Sequence, residues 1–375
     1  MQQDLKGENG TSVSNINKTV VVGLSGGVDS SVAAYLLKKQ GYNVIGLFML
    51  NWEETDPNGN CTAEQDFEDV KRVANKIGIP YYTVNYAKEY KERVFSYFLE
   101  EYEKGYTPNP DVMCNKEIKF GPFLKHAMEL GADYIATGHY CKRVDKDGKV
   151  YLYKSHDKNK DQTYFLNQLN QSQLKKTLFP LADIDKTEVR QIAKELGLST
   201  AEKKDSTGIC FIGERNFRQF LKTFLPAQPG DIRDLDGNLV GKHDGVMYYT
   251  IGQRRGLNIG GKNGYEADRW FVVKKDVKTN TLFVHCGECD EMYSSGCIVT
   301  DFNWIADMPN KDFDCFVKLR YRQPDQATKV EIVDEHTIKL LFAERQRAVT
   351  IGQFAVLYDE NGMCYGGGRI NELIK

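Results

Sequence analysis

The chain lacks any run approaching the ~20 consecutive apolar residues that a membrane-spanning helix requires. Its polar start, residues 1–18, has neither a hydrophobic signal core nor an Arg-rich amphipathic pattern. No membrane association is expected, and the expected compartment is the cytoplasm. Charge of one sign is also missing: 50 basic and 52 acidic residues leave a formal net charge of −2. That balance argues against sequence-independent wrapping of nucleic acid but leaves room for a local basic face. A secreted disulfide framework is excluded as well, because nine cysteines, an odd number, are scattered over 375 residues. Internal repeats and low-complexity blocks are absent from the sequence.

What is present is an ordinary globular composition, 41% hydrophobic, long enough for two or three domains. From 20 to 137 apolar strands alternate with amphipathic helices: strands at 20–24, 44–49, 81–85 and 134–137, and helices at 31–40, 63–77, 90–104 and 116–130. In the 63–77 segment Ala63, Phe67, Val70, Val73, Ala74 and Ile77 recur near a 3.6 period. The expected fold class is α/β, with an N-terminal doubly wound parallel sheet. Further helices are expected at 161–169 and 186–196. After Phe224 the texture changes to short β-like runs punctuated by Gly and Pro, such as 246–250 and 270–273, followed by a second β set at 313–321, 329–333, 337–342 and 354–358. The expected division is a flexible tail at 1–17, a catalytic α/β domain at 18–213, a central β-rich domain at 214–297 and a C-terminal β-barrel-like domain at 298–375.

The first strand runs into Gly23-Leu24-Ser25-Gly26-Gly27-Val28-Asp29-Ser30. Paired glycines let the backbone approach a ligand, and the helix start that follows offers unpaired N–H groups and a positive dipole end, a natural anion site. The Gly-Lys-Ser/Thr ending of the common P-loop is missing, so a kinase-like grip on a γ-phosphate is not expected. In a doubly wound sheet, ligands bind beyond the carboxyl ends of the strands, which would bring the loops after Leu24, Met49 and Thr137 together.

Two cysteine segments stand out. In Thr107-Pro108-Asn109-Pro110-Asp111-Val112-Met113-Cys114-Asn115-Lys116 a cysteine stands just ahead of the expected helix 116–130, where a thiol beside lysine ionises more readily, and Asp111 lies close enough in sequence to move a proton. In Lys203-Lys204-Asp205-Ser206-Thr207-Gly208-Ile209-Cys210 a second thiol follows two lysines. Two reactive sulfurs beside a nucleotide loop point to sulfur transfer.

Taken with Gly46–Trp52, Ala136-Thr137-Gly138-His139-Tyr140, Lys160-Asp161-Gln162-Thr163-Tyr164-Phe165 and Arg320-Tyr321-Arg322-Gln323, these motifs resemble the bacterial tRNA-specific 2-thiouridylase (MnmA/TrmU) family of PP-loop ATP pyrophosphatases, from about Lys18 to the C-terminus. The resemblance implies 2-thiolation of the wobble uridine of tRNA for Lys, Glu and Gln, with ATP, accompanied by Mg²⁺, adenylating the C2 oxygen and releasing AMP and pyrophosphate. It places Gly23, Leu24, Ser25, Gly26, Gly27, Val28, Asp29, Ser30, Met49 and Gly138 on ATP. Cys210 would carry a persulfide supplied by a cysteine desulfurase or a sulfur-relay protein. Cys114 would attack it, leaving a transient Cys114–Cys210 disulfide, with Asp111 as acid/base. Asn109, Pro110 and Asp111 would meet the target base, and His139, Lys160, Asp161, Gln162, Arg320, Tyr321 and Gln353 the tRNA body.

Basic clusters at Arg254/Arg255, Arg320/Arg322 and Arg345/Arg347 are candidates to extend that footprint. Cys286-Gly287-Glu288-Cys289, with Cys297 nearby, supplies only two ligands of a four-ligand zinc site with no second pair, so no metal site is expected. Two rivals remain open: an ammonia-using ATP pyrophosphatase, and an RNA-binding protein with ATP as a structural ligand. Neither has a use for Cys210.

Overall fold

The computed structural model describes residues 15–53, 62–205, 217–226, 228–259 and 269–375. The first part of the chain builds a five-stranded parallel sheet from β1 (Thr19–Leu24), β2 (Asn43–Leu50), β3 (Tyr81–Asn85), β4 (Tyr134–Ala136) and β7 (Thr177–Leu178), in the order β3-β2-β1-β4-β7. The run Thr19-Val20-Val21-Val22 suits this central position, because a strand covered on both faces is apolar throughout rather than alternating. Val20 and Val22 pack into one core cluster and Val21 into another. Helix α1 (Val28–Lys39) buries Val32, Ala33, Ala34 and Leu37, and α2 (Thr62–Ile77) follows β2.

The chain runs outward from β1 to β2 and β3, then crosses back to place β4 on the other side of β1. The strand order therefore reverses between β1 and β4, and their carboxyl ends open a crevice at the switch point.

Several boundaries differ from the sequence expectation. The segment expected as one helix at 90–104 is α3 (Ala87–Tyr90) and α4 (Ser96–Glu103), joined by a π-helical turn, Lys91–Phe95. The helix expected at 116–130 begins earlier: α5 spans Pro110–Cys114, a π-helical turn Asn115–Lys119 follows, and α6 is Pro122–Glu129. The cause is local. Asn109 accepts a hydrogen bond from the Val112 N–H at 3.2 Å, and Pro110 occupies the first helical position, where its missing N–H costs nothing. The helix expected at 161–169 is only a 3-10 turn, Thr163–Leu166, because Asp161 turns inward to accept from Ser155 N at 3.1 Å and Thr163 Oγ1 at 2.8 Å. The strand expected at 246–250 is a 3-10 turn, Val246–Tyr248, entered through Gly245 at φ 155°.

A hairpin absent from the sequence expectation, β5 (Cys141–Lys146) and β6 (Lys149–Lys154), turns on Asp147-Gly148, both at positive φ. Short helices α7 (Gln171–Leu174) and α8 (Lys186–Glu195) complete this part, and α9 (Phe217–Phe224) leads onward. A four-stranded sheet, β10-β11-β8-β9, then uses β8 (Gly230–Arg233), β9 (Leu239–His243), β10 (Trp270–Asp276) and β11 (Thr281–Cys286). The last strands, β12 (Tyr293–Trp304), β13 (Phe313–Lys318), β14 (Gln326–Ile332), β15 (Ile338–Arg347), β16 (Phe354–Tyr358) and β17 (Met363–Ile374), close into a six-stranded barrel through β12–β17 pairing. The β5–β6 hairpin extends this barrel sheet, Leu152 lying opposite Cys364. One core cluster joins Val21 and Leu47 of the parallel sheet, Leu152 of the hairpin, Val272 of the four-stranded sheet and Val356 of the barrel.

Among the described residues no helix is long and apolar enough to cross a membrane. Truncating the fully buried Leu152 to Ala is expected to cost about 2–5 kcal/mol. A thermal melt of Leu152→Ala that overlays the parent would contradict the hairpin's place in the shared core.

Candidate active site

The glycine loop occupies the switch point. Gly26 has φ +74°, and a Cβ there would lie 2.6 Å from the Asp66 carbonyl oxygen. Gly138, after β4, approaches still more tellingly: its Cβ would lie 2.7 Å from Ser30 N and 2.8 Å from the Asp29 carbonyl carbon. Two backbones thus meet where α1 begins. Gly27 is the N-cap, and no side chain caps the first turn. Ser30 Oγ instead braces the loop, accepting from Ser25 N at 3.1 Å and donating to Gly27 O at 3.2 Å, while Ser31 Oγ donates to Gly27 O at 2.8 Å. Val28 anchors the turn in the core. Met49 lies over Gly23, its Cε 3.3 Å from where a Cβ would stand. The loop Gly23–Ser30, Met49 and Gly138 thus lie together at the switch point, with Leu24 and Val28 turned into the core beneath it.

A charge network lies beside it. Asp29 accepts from Lys186 Nζ at 2.6 and 2.7 Å and from the Tyr140 hydroxyl at 2.8 Å. Lys186 also pairs with Asp205 at 2.8 Å, and Asp205 takes Lys160 at 2.6 Å and Arg190 at 2.9 Å. Burial works to raise the Asp205 carboxyl, but hydrogen bonds from Lys160 and Lys186 outweigh it and hold the group down to about 2. Burial, reinforced by Asp29, pushes the Tyr140 hydroxyl far up, so it stays a donor. Sequence reasoning did not nominate Tyr140, Lys186 or Arg190. Tyr140 directly follows His139 in a quoted motif, whereas Lys186 carries no signal beyond its place after the N-cap Asp185.

Asp111 and Cys114 both sit on α5. Cys114 is its last residue, buried, and the backbone continues helically into the π turn, so it does not stand at a helix start as the sequence implied. The electropositive helix end expected to ionise it is absent there. Asp111 keeps some exposure, but burial raises its carboxyl above the ordinary 3.8, with Lys119 pulling the other way. Cys210 lies outside the described residues, as does the segment 206–216 around it.

Of the residues expected to meet RNA, Asn109 and Pro110 are buried at the start of α5. His139 is buried, its Nδ1 2.7 Å from Thr137 Oγ1, and burial lowers its pKa well below 6.5, leaving the ring neutral. Lys160 is bound to Asp205, Asp161 is turned inward, and Gln162 Oε1 accepts from Tyr140 N at 3.0 Å. Tyr321 packs against Phe165 with ring centroids 4.4 Å apart and planes tilted by 46°, and Arg322 lies over its face. Arg320 bonds Ala348 in the turn that joins β15 to β16, and Gln353, within that turn, donates to Thr107 O ahead of α5. The 160–165 segment thus reaches from the charge network beside the glycine loop to the barrel. Arg345 and Arg347, considered above for RNA, pair with Asp290 and Glu288. Among the described residues no three His, Cys, Asp or Glu side chains converge as a metal site.

Comparison with known proteins gives three family models in order: the tRNA methyl transferase HUP domain over residues 18–214, the tRNA methyl transferase PRC-barrel domain over 218–286 and the aminomethyltransferase beta-barrel domain over 294–370. A tRNA-specific 2-thiouridylase MnmA of Exiguobacterium sibiricum is 59% identical, covering 95% of each chain. The same-named protein of Listeria monocytogenes is 58% identical, covering 97% of each. Among solved structures, a 4-thiouridine synthetase–RNA complex with bound ATP is 20% identical over 56% of this chain and 50% of that one, with a TM-score of 0.34. The model descriptions speak of methyl transfer, but the relatives that match from end to end are thiouridylases. On that near-complete, high-identity match the chain belongs to the tRNA-specific 2-thiouridylase family.

Proposed function

We propose that the protein uses ATP to replace the C2 oxygen of the wobble uridine of Lys, Glu and Gln tRNAs with sulfur. The observation that carries this reading is the uncapped, glycine-cleared start of α1, lying at the switch point with Gly138 against it. Backbone N–H groups there suit the phosphates of ATP, while Met49 and Gly138 border the adenosine. The uridine oxygen attacks the α-phosphorus, pyrophosphate leaves, and the C2–O bond becomes cleavable with AMP as leaving group. Mg²⁺ enters with the nucleotide. Asp29 at the loop bonds Lys186 and Tyr140.

Sulfur arrives as a persulfide on Cys210, from a cysteine desulfurase or a relay protein. The Cys114 thiolate attacks the Cys210 sulfur and expels hydrosulfide, which adds at C2 as AMP departs. The Cys114–Cys210 disulfide that remains needs a two-electron thiol reductant before the next turnover. Asp111 takes up and returns the proton. Neutral His139 and the Tyr321–Phe165 face suit RNA recognition by hydrogen bonding and stacking.

Given ATP, Mg²⁺, a cysteine desulfurase with cysteine and unmodified tRNA, the protein is expected to yield thiolated tRNA that is retarded in a mercury gel, and Cys210→Ser to yield none. Undiminished thiolation by Cys210→Ser would sink the sulfur-transfer reading and leave its rivals. Gly138→Ala must push two backbones apart, a strain of about 1–3 kcal/mol, and is expected to raise KM for ATP about tenfold. A pH profile tests Asp111: thiolation should fall as the pH drops through its raised value. Lys119→Met, which removes the charge that lowers that carboxyl, should move this acid limb to higher pH. An unmoved limb assigns the titration to another group.

A further inference from the structure

The turn 348–353 between β15 and β16 meets all three sheets' neighbourhoods at one point. Arg320 Nη2 donates to Ala348 O at 2.6 Å, to Thr350 Oγ1 at 2.7 Å and to Ile251 O, beside the four-stranded sheet, at 3.2 Å. Thr350, buried, donates in turn to Ala348 O at 2.9 Å. Gly352 has φ +92°, and a Cβ on it would lie 3.0 Å from Thr107 N. From this turn three bonds run to the segment ahead of α5. Thr107 N donates to Ile351 O at 3.0 Å, and Gln353 Nε2 donates to Thr107 O at 2.9 Å and to Pro108 O at 3.2 Å. Asn109, 3.5 Å from Gln353 Oε1, then caps α5.

These are bonds within the protein, made by a side chain that the family resemblance reserves for RNA. A glutamine whose two donor hydrogens meet successive carbonyls fixes the direction of the chain entering α5, and α5 carries Asp111 and Cys114 on little more than one turn. So short a helix has no stiffness of its own. At its far end Asn115 Nδ2 donates to Phe165 O at 3.1 Å, and Tyr164 OH donates to Phe354 O at 3.0 Å, beside Gln353. Both ends of α5 are therefore referred to the barrel.

We propose that Gln353 and Thr350 are positioning residues for the chemistry of α5: the barrel turn, braced by Arg320, sets the pose of Asp111 and Cys114. This rests on the reading that α5 carries the sulfur chemistry. It differs from an RNA contact in what it predicts, because misplacement of a reacting group lowers turnover, whereas loss of an RNA contact weakens tRNA binding.

The test uses the full chain with ATP, Mg²⁺, cysteine desulfurase, cysteine and tRNA. Thr350→Val keeps the volume of a buried side chain that faces no solvent, and Gln353→Ala removes the bonds to Thr107 and Pro108. Both are expected to lower kcat about tenfold, within the ~10²-fold that a misplacement of about 1 Å can cost. Thr350→Val should leave KM for tRNA unchanged. In protein without tRNA, both should speed alkylation of Cys114 by iodoacetamide, followed by mass spectrometry of its peptide. Gln353→Glu keeps the side chain's size but turns a carboxylate toward two carbonyls, and should match or exceed the loss in Gln353→Ala. If Gln353→Ala and Thr350→Val keep the parent's kcat and Cys114 alkylation rate, with only KM for tRNA raised in the former, the proposal is overturned. Recovery of kcat in Gln353→Glu overturns it too. Should Cys114→Ser retain thiolation, the reading of α5 fails, yet the alkylation rates in the other variants still decide whether the turn positions it.

Discussion

The contact on which the rest depends is that of Gly138 with the first turn of α1. Any side chain at 138 would stand 2.7 Å from Ser30 N, so the strand β4 can pair with β1 and still let its exit run beneath the glycine loop only because that side chain is missing. This approach brings Tyr140 within 2.8 Å of Asp29 and orients the loop through it. It also keeps the helix start uncovered by side chains, the condition for oxygen-rich ligands to reach backbone N–H groups.

Around that contact the polar groups are neutralised in pairs. Asp205, held near a pKa of about 2, binds Lys160, Lys186 and Arg190, and Lys186 reaches on to Asp29. A half-buried carboxylate with one cation would sit at an awkward balance between desolvation and attraction. Three cations resolve it, and they tie the 160s segment, α8 and the glycine loop into one body. The same 160s segment continues to Tyr164, whose hydroxyl bonds the barrel at Phe354. The glycine-loop end and the barrel end of the molecule are thus joined, besides by the β5–β6 hairpin, by a few residues with no long helix or strand of their own.

The parallel sheet was legible because β1 to β4 are dense in β-branched and aromatic residues and the helices between them keep a 3.6 period. Strands 81–85 and 354–358 coincide with their expected bounds. The start of α5 was misread because its cap, Asn109-Pro110, is a turn signal and a helix-start signal at once, and only the helical continuation past Cys114 decides between them. The helix expected at 161–169 failed because Asp161 and Asn167 bond their own backbone neighbourhood rather than extend a helix. The β5–β6 hairpin was readable in Asp147-Gly148 and the alternating run Val150–Tyr153 but was passed over, and only its place beside β17, which pairs with β6 more than two hundred residues on, needed the tertiary structure.

The sequence alone determined the α/β start, the β-rich remainder, the glycine loop and the two cysteine segments, because each is written in contiguous residues whose spacing or composition has a direct physical meaning. Only the tertiary structure decided that Lys186 and Tyr140 complete the loop, that Cys114 ends a helix instead of preceding one, and that a barrel turn around Gln353 grips the entry to that helix. The first and the last depend on residues far apart in the chain meeting at distances near 3 Å, while the helix ending at Cys114 turns on a local cap whose signal is ambiguous. No local pattern encodes such meetings, since the packing of three sheets around one shared core sets them.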